Sequence, residues 1–367
     1  MIRRLIAGAL REAWYIVQTL VMYAQFVLSL PRSAQQLVRA WPEGGIPLGP
    51  RVALFVHFDR RGQVRPYVLR YVEMLRRAGL SVVFVTNAGR LRDDGVEALK
   101  PLCAGILIRR NVGYDFGAWR EALDYLKLPR YETESVLILN DSVYGPLAPL
   151  ESLLERMDFT KADVWGATDS WQTRYHLQSY FFAVGRKALV SRAWHDFWRS
   201  VRPVKSKEWV IRRYEVGLTQ SLMRAGFTCA ALWNYTELLR RLDPTLAGIP
   251  AEAKEGEDPR VDARRSHWGR IMFGVVSRRP LNPTSDLWRQ LLQAGYPFLK
   301  RQLLRENPSG VLDIADWRDE LARMKLKNVP PSTHNAEAWL NERKHDIAAD
   351  TAMIEADLKQ TMRGRAP

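Results

Sequence analysis

Asn111-Val-Gly-Tyr-Asp-Phe-Gly-Ala-Trp119 and Asn140-Asp-Ser-Val-Tyr-Gly-Pro146 are the two stretches whose reading decides the fold. Each follows an apolar run with the length of a buried strand: Gly105-Ile-Leu-Ile108 before the first, Val136-Leu-Ile-Leu139 before the second. The two lie about one helix and one strand apart. Amide and carboxylate groups are therefore delivered to the carboxyl ends of neighbouring strands, where open α/β sheets build their ligand crevices.

Upstream, Val52-Ala-Leu-Phe-Val56 reads as another buried strand. Val64, Tyr67, Val68, Tyr71, Val72 and Leu75 then recur at helical spacing, with Pro66 tolerated in the first turn and Gly79 as the stop. A second strand spans 80–85. Strand, helix, strand in so short a stretch is a βαβ unit with a right-handed crossover and a parallel sheet. The unit repeats through 106–108, a helix around Trp119, Leu123 and Leu126, and the strand at 136–139. Further on, 164–167 and 179–184 read as strands and 188–198 as a helix. A basic loop carrying Lys205 and Lys207 precedes a helix at about 214–225, stopped by Gly226. Residues 243–263, rich in Pro, Gly, Glu and Asp, read as a boundary. Residues 286–304 are helical with an interruption at Pro297. The charged tail from Trp317 is helical and broken at Pro330-Pro331.

The 367 residues, 47% hydrophobic and 26% charged, suit a globular protein with a sizeable core and exclude a disordered chain. A surplus of 55 Lys and Arg over 40 Asp and Glu favours polyanions such as nucleic acid, anionic headgroups or phosphorylated ligands. Zinc-finger spacing, a helix-turn-helix pattern and an arginine-rich arm are all missing, so nucleic acid is not an expected partner. Cys103 and Cys229, flanked by small or apolar residues, read as buried free thiols in a reducing compartment. The chain starts Met1-Ile-Arg-Arg4 and runs apolar over 13–30, interrupted by Gln18, Thr19 and Gln25, with Trp14, Tyr15 and Tyr23 suited to a headgroup boundary. Pro31-Arg32 follows instead of a cleavage site. The preferred reading is a helix lying on the cytoplasmic face of a membrane. A helix packed on the domain comes second and a spanning helix third.

The strand ends supply the candidate site. Gly113 lets backbone approach a ligand, and a helix amino terminus there favours phosphate or sugar hydroxyls; Asp115 alternatively caps that helix. The Asp141 carboxylate can hold Mg²⁺ or Mn²⁺ against a diphosphate, though Asn140-Asp141-Ser142 followed by Gly145-Pro146 is also what a tight reversal demands. His57 and Asp59 follow the first strand. Asp169, Trp171, His176, Gln178 and Ser179 offer groups for binding hydroxyls and a ring for stacking on a sugar. Glu215, read at a helix start, is either stabilised by the helix dipole or a general base for an attacking hydroxyl.

Together, 111–119, 140–146, His176-Leu-Gln-Ser179, Asn282-Pro-Thr284 and Tyr296-Pro-Phe-Leu-Lys-Arg301 resemble the rhamnan synthesis protein F family. The resemblance covers about 50–308. It implies an α/β fold similar to the GT-A glycosyltransferases: a Rossmann-like, mostly parallel sheet flanked by helices, with helical additions at both ends. It divides the chain into a membrane-contact helix and linker (1–45), a GT-A-like domain (50–245) and a mostly helical extension (246–367). The implied activity is transfer of a deoxyhexose, rhamnose from dTDP-rhamnose, to a hydroxyl of a lipid-linked glycan in cell-surface polysaccharide, O-antigen or lipopolysaccharide synthesis. The protein would work at the cytoplasmic face of the inner or plasma membrane. The donor would be held by His57, Asp59, Thr86, Asn111, Gly113, Asp115, Asn140, Asp141 and Ser142. The acceptor would lie against Trp171, His176, Gln178 and Ser179, with Glu215 or Asp169 as base. The chain departs from the GT-A pattern twice. Asn140-Asp141-Ser142 stands in the Asp-x-Asp place with one carboxylate, through which Mn²⁺ or Mg²⁺ would act. Val216 stands where an Asp commonly follows the Glu. These departures leave a second reading open: a non-catalytic nucleotide-sugar or glycan binding module of an assembly complex.

Overall fold

The computed structural model describes residues 2–29, 36–243, 247–250, 252–326 and 336–363. Its strands, in chain order, are β1 (Leu37–Trp41), β2 (Arg51–His57), β3 (Ser81–Thr86), β4 (Gly105–Arg109), β5 (Ser135–Asn140), β6 (Val143–Tyr144), β7 (Val164–Ser170), β8 (His176–Leu177), β9 (Phe181–Gly185), β10 (Cys229–Trp233) and β11 (Leu299–Lys300). The main sheet runs β1-β4-β3-β2-β5-β9-β7-β10, with β8 paired to β7. β2, β3, β4 and β5 pair in parallel, as do β7 and β10. Only β1 and β9 run against the common direction along this path. The result is a mostly parallel α/β sheet.

The chain leaves β2 towards β3 and β4 on one side, then returns to β5 on the other. This reversal places a crevice outside the carboxyl ends of the paired strands β2 and β5, the switch point where α/β folds bind ligands. Register puts Val56 opposite Asn140, and the Asp141 N–H donates to the Val56 carbonyl at 3.1 Å. The local sequence enforces this arrangement. Ala53 and Phe55 join the core on one face of β2, with Phe84, Tyr71 and Leu137. Val52, Leu54 and Val56 join the other, with Trp119, Ile138 and Trp194. A strand buried on both faces must be apolar throughout, so the polar groups gather at its end. The Trp119 indole N–H, from the helix Tyr114–Leu126, reaches the Leu54 and Leu139 carbonyls at 3.3 Å each and ties that helix across the two strands.

Several expectations require correction. Residues 188–198 form two helices, Arg186–Leu189 and Arg192–Ser200, because the Ser191 side chain caps the second. The helix read at 214–225 begins earlier: Lys207–Trp209, a π-helical turn Val210–Glu215 and Val216–Arg224 follow one another directly. Part of the proposed boundary is structured, since a helix spans Pro259–Val276. At Pro297 the chain does not merely interrupt a helix. It continues into β11, which pairs antiparallel with β6, so the stretch beyond 245 closes onto the strand-end turn. The helix Ala336–Arg363 packs there too: the Tyr144 hydroxyl donates to Asp357 Oδ2 at 2.6 Å. The break at Pro330-Pro331 lies outside the described residues. Cys103 is buried, Cys229 partly buried, and both are free thiols. The amino-terminal helix is Ile2–Ser29, and no described helix is long and apolar enough to cross a membrane.

Candidate active site

The two motifs meet at the switch point. Asn140 Nδ2, ending β5, donates to Asp115 Oδ2 at 2.9 Å, in the first turn of Tyr114–Leu126. The turn reading of 140–142 is realised as well: Ser142 donates from N–H and Oγ–H to Asn140 Oδ1, at 3.1 and 2.6 Å. The Asn140 side chain is thereby oriented with its amide towards Asp115. Asp115 does not cap its helix. Gly113 occupies that position, with φ 90°, and no side chain caps there. A Cβ at Gly113 would stand 2.9 Å from the Pro203 backbone, so the close approach this glycine permits is to its own chain. Asn111 is exposed in the loop before it.

A residue outside the motifs braces that loop. Arg109, at the end of β4 and 1% exposed, donates to the Val112 carbonyl at 2.8 Å, to Glu121 Oε2 at 2.6 Å and to Asn87 Oδ1. At the ends of β2 and β3, His57 Nδ1 meets Thr86 Oγ1 at 3.1 Å, both side chains being buried. Burial pushes the His57 pKa down, opposed in part by the Asp141 and Asp59 charges. Asp59 is held by its own turn, accepting from the Arg61 and Gln63 N–H groups at 2.8 and 3.2 Å.

Glu215 faces this crevice from the π-helical turn and not from a helix start, so no helix end stabilises it. Its Oε1 accepts from the Ser179 N–H and Oγ–H at 3.0 and 2.8 Å. Asp141 and Glu215 both lie close enough to Asp115 for their charges to act on it. Burial first, then Asp141, pushes the Asp115 carboxyl up to about 7, with Glu215 adding to the shift and Asn140 and Arg109 opposing it.

Asp169, the alternative base, is corrected on geometric grounds. It has no exposed surface. Oδ1 accepts from the Tyr235 N–H at 2.6 Å and Oδ2 from Asn234 Nδ2 at 3.1 Å, which anchors the start of the helix Tyr235–Arg240. A carboxylate so enclosed offers no oxygen to an acceptor hydroxyl. Burial pushes its pKa up to about 6. The acceptor candidates divide. Ser179 is on Glu215. Gln178 is buried, accepts from Thr168 Oγ1 at 2.7 Å, and points its amide at Asn282 and Thr284, 3.5 Å from each. His176 is turned onto the Arg174 carbonyl at 2.8 Å. Trp171 is 47% exposed, edge-on to Tyr175.

Sequence reasoning left the basic side of the crevice unassigned. β11 carries Lys300 to its end, and Arg301 follows. Arg301 donates to Asp141 Oδ2 at 2.9 Å and lies over the Tyr67 ring, 4.7 Å from its centre. Lys300 Nζ is 3.4 Å from Thr284 Oγ1 and senses Glu215 on one side and Lys207 on the other. The available signal was the run Tyr296-Pro-Phe-Leu-Lys-Arg301 itself, conspicuous but without an assigned place. For a divalent metal the donor set fits poorly. The single Asp141 carboxylate is engaged by Arg301, Asn140 and Ser142 satisfy each other, and among the described residues no three His, Cys, Asp or Glu side chains are placed to hold an ion.

Comparison with known proteins bears on this geometry. The virulence protein VirA of Vibrio anguillarum is 29% identical over 271 residues, 72% of this chain and 82% of that protein. An uncharacterized protein, y4gN, of Sinorhizobium fredii is 29% identical over 202 residues, 54% of this chain. The match spans about half of that relative's length, 52%. A solved mannosyltransferase from Pyrobaculum calidifontis, in complex with GDP-Man and Mn²⁺, aligns over 95% of this chain and 98% of its own at 14% identity. Its TM-score of 0.32 is too low to carry an argument about substrate or metal. The model of the family described as rhamnan synthesis protein F matches residues 82–247, which contain both strand-end motifs, Ser179 and Glu215. Over those residues the chain is similar to the rhamnan synthesis protein F family.

Proposed function

We propose that the protein is a glycosyltransferase that moves a deoxyhexose, rhamnose from dTDP-rhamnose, onto a hydroxyl of a lipid-linked glycan during cell-surface polysaccharide synthesis. The observation that carries this reading is the meeting of both motifs with Glu215 at one switch point: Asn140 bonded to Asp115, and Glu215 held by Ser179 in the same electrostatic neighbourhood. Such a crevice suits a nucleoside diphosphate sugar. His57, Thr86, Asn111 and Asp115 take the nucleoside and sugar side of the donor, and Asn140, Asp141 and Ser142 frame its diphosphate end. Ser179 orients Glu215, whose carboxylate removes the proton of the attacking hydroxyl as the sugar–phosphate bond breaks. The proton passes to Glu215 and the electron pair leaves with dTDP. Gln178 and Trp171 lie on the acceptor side. The family match supports a place in polysaccharide assembly; the donor sugar, the lipid-linked acceptor and the membrane face are the finer part of the proposal.

A screen of nucleotide sugars tests it. dTDP-rhamnose should release dTDP in the presence of a lipid-linked acceptor, faster than any other donor. Binding without release for every donor would point instead to a non-catalytic module, and absence of both binding and release would reject the donor site.

A further inference from the structure

Within that donor-site reading, we propose that the diphosphate is held without a divalent metal, Lys300 supplying the charge that faces it and Arg301 occupying the carboxylate a metal would need. The argument starts from β11. Pairing Leu299 with Tyr144 and Lys300 with Val143 puts Lys300 opposite the residue that follows the Asn140-Asp141-Ser142 turn, and the Arg301 N–H donates to the Ser142 carbonyl at 3.0 Å. Consecutive residues leave a strand on opposite sides. Arg301 turns to Asp141, Tyr67 and Tyr144, while Lys300 turns to Thr284, Glu215 and Lys207.

The charges on the two sides differ. Arg301 is neutralised: it pairs with Asp141 at 2.9 Å and lies 4.0 Å from Asp357, whose other neighbours are Arg65 and the Tyr144 hydroxyl. It makes Asp141 a poor metal ligand, because a cation entering there would have to displace a guanidinium stacked on two tyrosine rings. Lys300 is different. Among the described residues it has no carboxylate within ion-pair distance; its one polar contact is the neutral Thr284 hydroxyl. Glu215 is held by Ser179 instead, and Lys207 adds a second positive charge on an exposed side chain. Burial holds the Lys300 pKa down, a cost that an approaching phosphate dianion would reverse. A partly buried, under-compensated ammonium beside the strand-end turn is what a diphosphate leaving group requires when no metal shields it.

Calorimetric titration of the intact protein with dTDP, once with excess EDTA and once with Mn²⁺, provides the test. The expected result is the same affinity in both. Lys300→Met should weaken dTDP by about tenfold or more, and Lys300→Arg should restore most of the loss, which separates lost charge from lost folding. dTDP binding that requires Mn²⁺ would overturn the inference while leaving the donor site in place. Metal-free binding unaffected by Lys300→Met would also overturn it. If dTDP does not bind under either condition, the donor-site reading itself falls and the inference with it.

Discussion

Asp115 is the residue at which folding and function pull hardest against each other. Its carboxyl is pushed up to about 7 by burial and by Asp141, so the folded protein holds a proton that the unfolded chain, titrating near 3.8, gives up. Stability contributed by the protonated group is therefore full below about pH 4 and is lost as pH rises towards 7. Asp115→Asn keeps an oxygen for the Asn140 amide and removes the titration. Thermal melts should show little change at pH 4 and a gain on the order of 1 kcal/mol at pH 8, reduced from the full linkage value because the side chain is not wholly enclosed. Equal effects at both pH values would contradict this assignment. Ser179→Ala tests a neighbouring claim. It removes the Oγ–H donor to Glu215 and leaves the backbone donor, so kcat should fall roughly tenfold with KM for the donor nearly unchanged. At this scale the positions of Asp115 and Asn140 were readable because each ends or follows a buried apolar strand, whereas Glu215 was read at a helix start and stands on the π-helical turn instead. Arg109 was not readable, since an arginine closing an apolar strand looks like an exposed end until Glu121 and Asn87 are seen around it.

Among the elements, the parallel strands were the easiest to foresee: β2 to β5 are apolar because both faces are covered, and that pattern survives without any tertiary information. β11 was hidden for the opposite reason. Two residues carry no period, and their pairing with β6 joins positions more than 150 residues apart. The π-helical turn was equally hidden, because one extra residue per turn shifts Glu215 without changing composition. What holds the carboxyl-terminal elements together is also non-local. Arg289, 1% exposed on the helix Trp288–Gln293, is surrounded by Asp313, Asp316 and Glu320, and it donates to Asp313 at 3.0 Å and Asp316 at 2.9 Å. Arg289→Ala would take the guanidinium from the buried Asp313 and one cation each from Asp316 and Glu320, which keep Arg260, Arg264 and Arg323. A loss of about 3–5 kcal/mol is expected in denaturant unfolding, against under 1 kcal/mol for the exposed Arg192 or Arg199.

For the molecule as a whole, the +15 charge and the amino-terminal helix bear on where the proposed reaction would take place. On Ile2–Ser29, Met22 is buried, Phe26 stacks on Trp209 at 4.3 Å, and Trp14, Ile16, Leu20, Val27 and Leu28 are exposed. The same helix edges a cleft of about 470 Å³ lined by Arg174, Arg212, Arg213 and Arg224. An apolar surface beside arginines suits a lipid face with negative headgroups, which supports the proposed membrane contact. The protein should sediment with vesicles containing phosphatidylglycerol, release as salt is raised, and lose binding when Trp14 and Leu20 are both changed to Glu; indifference to all three would remove the membrane from the account.

The most direct test of the central claim, that the β2–β5 switch point is a glycosyl-transfer site with Glu215 as its base, is single-turnover transfer from labelled dTDP-rhamnose to a lipid-linked acceptor. Wild type and Glu215→Gln would be compared at equal dTDP affinity. Transfer by the wild type and a fall of about 10²–10⁴-fold in the variant, with the donor still bound, are the expected results. Undiminished transfer by Glu215→Gln would contradict it.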